Sequence, residues 1–164
     1  MLPDWLNLNA PGYENLTQDE KDAIMHFSLL WSLFEAQVLN TSASANAIQS
    51  KIKTWHESGL IDPVEFEQFK FYFIHRYVEN GELNNRFEHL RLWLGDKPEL
   101  VRSVLKEADN SIENIVTALL IIVLRYRNNF FHGIKWAYEF HDQLDNFNAA
   151  NNLLMKVIEI NNHA

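Results

Sequence analysis

The chain has 164 residues, 47% of them hydrophobic and 13% aromatic, enough to pack one domain of ordinary size. It has no cysteine, 5 glycines and 4 prolines, which excludes disulfide frameworks, thiolate nucleophiles and zinc fingers and argues against a turn-rich barrel or sandwich. A formal net charge of −8 excludes a protein coated in positive charge but leaves room for a small local phosphate site.

Residues 1–16 contain Pro3, Pro11 and Gly12 and read as an irregular arm, which Leu2, Trp5, Leu6 and Leu8 can pin to the body. The start lacks the cationic and apolar regions of a signal peptide. The longest apolar run, Ala118 to Leu124, is far short of the roughly 20 residues of a membrane helix. The reading is a cytoplasmic protein with no membrane partner, its lack of cysteine fitting a reducing compartment.

Residues 17–164 read as a single helical domain. Thr17 and Glu20 form a capping box, and Ile24, Phe27, Trp31, Phe34 and Val38 then recur at helical spacing, which predicts a helix to about Asn40. Ser42 to Trp55 predicts a second helix, closed by Gly59. Asp62 and Pro63 are an N-cap and first-turn pair for an aromatic helix from Val64 to about Val78, with a continuation past Gly81 to Leu94 left open. Gly95-Asp96-Lys97-Pro98 is a breaker, and Pro98 to Ala108 a short helix. Ser111 opens a helix from Ile112 to about Arg127, and the last helix is expected from Gly133 to Ile160. No strand is expected. Helix after helix with short links implies an all-α antiparallel helical bundle with extra short helices.

Several bundle chemistries are missing. None of the 7 histidines has a carboxylate three positions before it, so the Glu-x-x-His pairs of di-iron bundles are absent. So are His-Glu-x-x-His and the glycine-rich phosphate loops. No metal ligand set and no cofactor are expected.

One segment stands out: Arg125-Tyr126-Arg127-Asn128-Asn129-Phe130-Phe131-His132-Gly133-Ile134-Lys135-Trp136. No carboxylate lies between Glu113 and Glu139, whereas Arg125, Arg127 and Lys135 do. Arg127 falls within about 40° of Val116, Leu120 and Val123 on the helical wheel. A guanidinium on that stripe cannot shed its proton, so it needs a carboxylate, an interface or an anion. Asn128-Asn129 and Gly133 predict a helix end near Arg127 and a new start near His132, where the helix dipole would keep the imidazole neutral. Glu35, on the wheel with Ile24, Ser28 and Trp31, is the expected partner of Arg127, either orienting the site or forming a plain core salt bridge.

Arg127-Asn128-x-x-x-His132 resembles the Arg-x4–6-His motif of HEPN domains (higher eukaryotes and prokaryotes nucleotide-binding), and RNNFFHGIKW is similar to members with an Arg-Asn pair before an apolar-His-Gly-x-Lys run. The resemblance implies an HEPN-like bundle and a metal-independent endoribonuclease, of toxin or phage-defence type. It implies catalytic roles for His132 as general acid/base, Arg127 as stabiliser of the phosphate and Asn128 as the residue orienting the pair. It also implies RNA as substrate, a homodimer and an antitoxin protein as partner. Arg125, Lys135 and Tyr126 are possible RNA contacts. The alternative is a non-catalytic HEPN-like nucleotide-binding or protein-interaction dimer.

Overall fold

The computed structural model describes residues 1–131 and 143–164. Its helices are α1 (Leu2–Asn9), α2 (Gln18–Gln37), α3 (Ala45–Glu57), α4 (Pro63–Tyr77), α5 (Asn85–Glu88), α6 (Pro98–Leu105), α7 (Ile112–Phe131) and α8 (Leu144–His163). Short 3₁₀ turns span Tyr13–Asn15 and Leu94–Asp96, and a small hairpin pairs β1 (Val78–Glu79) with β2 (Glu82–Leu83). The fold is all-α, and among the described residues no helix is long and apolar enough to cross a membrane.

Local chemistry starts the helices. The Glu20 N–H donates to Thr17 Oγ1 at 3.2 Å and the Thr17 N–H to Glu20 Oε2 at 2.8 Å, completing the capping box. The Ala47 N–H donates to Ser44 Oγ at 3.1 Å, and the Val64 N–H to Asp62 Oδ1 at 3.0 Å ahead of Pro63. At α7 the Asn114 N–H reaches Ser111 Oγ at 3.4 Å. The Ser111 N–H and the Asn114 amide both donate to Asp109, holding its carboxyl below the usual carboxylate range.

α7 forms the axis. Every residue from Val116 to Leu124 is buried, so this helix has no solvent face along its middle and must be wrapped by others. α2, α3, α4 and α6 all pack on α7 or on its partners, and α2 and α8 make the most extensive pairing. Asn151 donates to the Ala23 carbonyl and Asn161 to the Gln37 carbonyl, so α2 and α8 run in the same direction. Phe27 and Phe147 meet across that pair as tilted rings, their centroids 5.2 Å apart, and Phe130 of α7 meets Phe147 edge-on.

Three expectations are corrected, and one left open is closed. Residues 1–16 are not irregular throughout: Leu2–Asn9 form α1, with Pro3 in its first turn, where its missing N–H costs nothing. Yet α1 buries no residue, and Leu2, Trp5 and Leu8 stay exposed, leaving Leu6 half-buried. The α4 helix does not continue past Gly81. Asn80 and Gly81 both take positive φ, 54° and 79°, the requirement of a two-residue hairpin turn, so strands form despite the expectation of none. Finally, α7 runs to Phe131 instead of ending near Arg127. Asn129 is a poor helix former, but its buried amide donates to the His89 and Leu90 carbonyls, both at 3.3 Å, and tertiary bonding outweighs propensity. The start of the helix expected at Gly133 lies outside the described residues.

Phe27 is fully buried between α2 and α8. Phe27→Ala is expected to destabilise the fold by about 3–5 kcal/mol, read as a lower urea midpoint with an unchanged slope.

Candidate functional site

The last turns of α7 carry three consecutive side chains with three different fates. Successive residues on a helix are turned by about 100°, so Arg125, Tyr126 and Arg127 face three different neighbours.

Arg127 faces α2. Its Nη1 donates to Asn128 Oδ1 at 3.0 Å, and its Nη2 lies 3.9 Å from Glu35 Oε2. The same Glu35 oxygen accepts from the Trp31 indole N–H at 2.7 Å, and that indole is buried in the core. Trp31 therefore fixes the carboxylate, and the carboxylate faces Arg127 across a long ion pair. Both side chains keep solvent access, 33% for Arg127 and 25% for Glu35. The contact foreseen from the sequence between these two residues is present, and Asn128 lies beside the guanidinium.

Arg125 points the other way and is enclosed. Its Nε donates to the Leu90 carbonyl at 3.0 Å and its Nη2 to Asn129 Oδ1 at 3.3 Å. Its Nη1 sits 3.3 Å from Asp96 Oδ2, and the two side chains are only 12% and 5% exposed. Asp96 also accepts the Trp93 N–H at 3.2 Å. This arginine is committed to holding the segment before α6 onto α7, and is not presented for an RNA phosphate.

Tyr126 is likewise internal. Its hydroxyl pairs with that of Tyr77 and lies 3.4 Å from Asn146 Oδ1, which accepts from Tyr72 at 2.7 Å. At 4% exposure its ring has no face open for a base. Burial pushes both Tyr77 and Tyr126 well above the usual phenol range.

His132 and Lys135 lie outside the described residues. Among those described, no cluster of three or more His, Asp or Glu residues could hold a metal ion. Sequence reasoning missed Asp96, taken only as part of a chain breaker, and Asn129, taken only as a helix interrupter. Neither carried a local signal, because each sits among polar or breaker residues and its burial comes from a partner far along the chain.

Comparison with family models, curated proteins and solved structures gives no match.

Two outcomes follow. Asp96→Ala leaves the Arg125 charge buried without its partner and is expected to cost about 3–5 kcal/mol in chemical denaturation. The tyrosine pair sets an alkaline limit. In the unfolded chain these phenols ionise near pH 10, whereas folding holds them protonated, so their contribution is intact below about pH 10 and declines as pH rises beyond it. A Tyr77→Phe/Tyr126→Phe variant is expected to show a flatter loss of stability between about pH 10 and 12 than the parent.

Proposed function

We propose that this chain is an HEPN-like, metal-independent endoribonuclease whose chemistry is carried by Arg127 and His132. The observation that carries the reading is the placement of Arg127. It is a part-exposed guanidinium on the last turns of a buried helix, flanked by Asn128 and faced by Glu35, five positions before a histidine. Arg125, two positions before it, is enclosed in a buried ion pair at 12% exposure, whereas Arg127 keeps 33% of its side-chain surface.

In this reading the RNA 2′-oxygen attacks the adjacent phosphorus while His132 takes its proton. The P–O5′ bond breaks, the leaving 5′-oxygen takes the proton that His132 accepted, and the products are a 2′,3′-cyclic phosphate and a 5′-hydroxyl end. The nucleophile is already part of the substrate, so the demands are proton transfer and positive charge on the phosphorane. Arg127 supplies that charge, and Asn128 and Glu35 orient it. A homodimer would bring two copies of the motif into one cleft, and an antitoxin protein would hold a toxin of this kind in check. The net charge of −8 disfavours tight, indiscriminate RNA binding and fits a confined site or a narrow substrate.

The Arg127–Glu35 ion pair favours a second reading, in which the arginine is structural and the domain is a non-catalytic nucleotide-binding or interaction module. RNA cleavage in EDTA separates the two. The parent protein is expected to generate cyclic-phosphate ends, with the rate falling about 10²–10⁴-fold in His132→Ala and at least about 10²-fold in Arg127→Ala. Equal traces of cleavage from all three folded proteins would refute the nuclease reading and leave the binding module.

A further inference from the structure

The segment from His89 to Lys97, between α5 and α6, has an inner and an outer side of opposite character. Its inner side is fixed to α7. The Leu90 carbonyl accepts from Arg125 and Asn129, and Asp96 pairs with Arg125. Its outer side shows Trp93 and Leu94, 64% and 88% exposed.

The indole is held in place from below. A Cβ built on Gly95 would lie 2.6 Å from Trp93 Cζ2 and Cη2, so the benzo ring rests on bare glycine backbone. Arg91 and Lys97 bracket the tip, both in the left-handed backbone region with φ of 53° and 54°. Among the described residues neither of them makes an ion pair. The one carboxylate within the segment, Asp96, is turned inward. A chain of net charge −8 thus presents, on a loop anchored to α7, one tryptophan flanked in sequence by two cations that make no ion pair among the described residues.

We infer that Trp93 is a stacking platform for a base of single-stranded RNA, with Arg91 and Lys97 meeting the flanking phosphates. The inference rests on the nuclease reading and adds a substrate subsite to it. Stacking on an exposed aromatic ring with cations nearby is how single strands are held without sequence readout. The size of the patch decides against a protein groove. Two exposed apolar side chains, Trp93 and Leu94, match one base, whereas a stable protein interface needs roughly 20–30 residues a side. The loop and the Glu35 side of Arg127 lie on opposite faces of α7, so the platform would hold the strand away from the cleaved bond.

The test uses full-length His132→Ala protein, so that RNA is not consumed, and anisotropy of a short fluorescein-labelled oligouridylate in EDTA at low salt. Adding Trp93→Ala is expected to weaken binding on the order of tenfold, and Trp93→Phe to retain most of it. Gly95→Ala keeps the tryptophan but displaces it, and is expected to weaken binding with an unchanged circular dichroism spectrum. Equal affinity in the parent, Trp93→Ala and Gly95→Ala overturns the platform while leaving the nuclease reading intact. No RNA binding by the His132→Ala parent overturns the RNA reading itself and the platform with it. A Trp93-dependent emission shift with phosphatidylserine vesicles, alongside RNA binding insensitive to Trp93, assigns the tip to a membrane surface and also overturns the platform.

Discussion

The middle of α7 has no solvent side, and that constraint shapes the rest of the molecule. A helix with Val116 to Leu124 buried on every face can exist only inside a shell of other helices, and α2, α3, α4, α6 and α8 supply that shell directly or through one another. The difficulty comes where the apolar run ends. Arg125, Tyr126, Asn129 and the backbone around them enter the same crowded interior with polar groups that need partners. The solution is a set of short polar bridges: Arg125 to Asp96 and the Leu90 carbonyl, Asn129 to the His89 and Leu90 carbonyls, and Tyr126 to Tyr77 and Asn146. These bridges carry α7 past Arg127 as continuous helix.

That continuity separates two arginines that look alike in sequence. Two residues apart on a helix means about 200° apart in direction. Arg125 is turned into the 89–97 segment and takes on a structural task, while Arg127 is turned toward α2 and keeps a third of its surface. What each helix face meets makes Arg125 a buried clamp and leaves Arg127 part-exposed, a distinction that composition alone does not carry.

The sequence made the helical elements readable because their signals are local. Thr17 with Glu20, Ser44, Asp62 with Pro63, and Ser111 each cap a helix with side chains a few residues away. The Arg127–Glu35 contact was readable for a different reason, since both residues break apolar stripes and each requires an opposite charge. What escaped depended on tertiary partners or on a short signal. Asn128-Asn129 reads as a helix end until the His89 and Leu90 carbonyls are known to be within reach. Asn80-Gly81 is a hairpin turn whose strands are only two residues each, too short for an alternating pattern. Asp96 reads as part of a breaker because its partner lies far along the chain.

α7 thus carries one arginine enclosed in an ion pair with Asp96 and one part-exposed beside Glu35, and the first is expected to hold the fold far more than the second. Urea unfolding of Arg125→Gln beside Arg127→Gln tests it most directly. A large loss of stability is expected for Arg125→Gln, about 3 kcal/mol or more, and a loss within about 1 kcal/mol for Arg127→Gln, whose ion pair is long and solvent-accessible. Comparable losses for both variants would mean that Arg127 is as structural as its neighbour, and would contradict the division on which the functional reading stands.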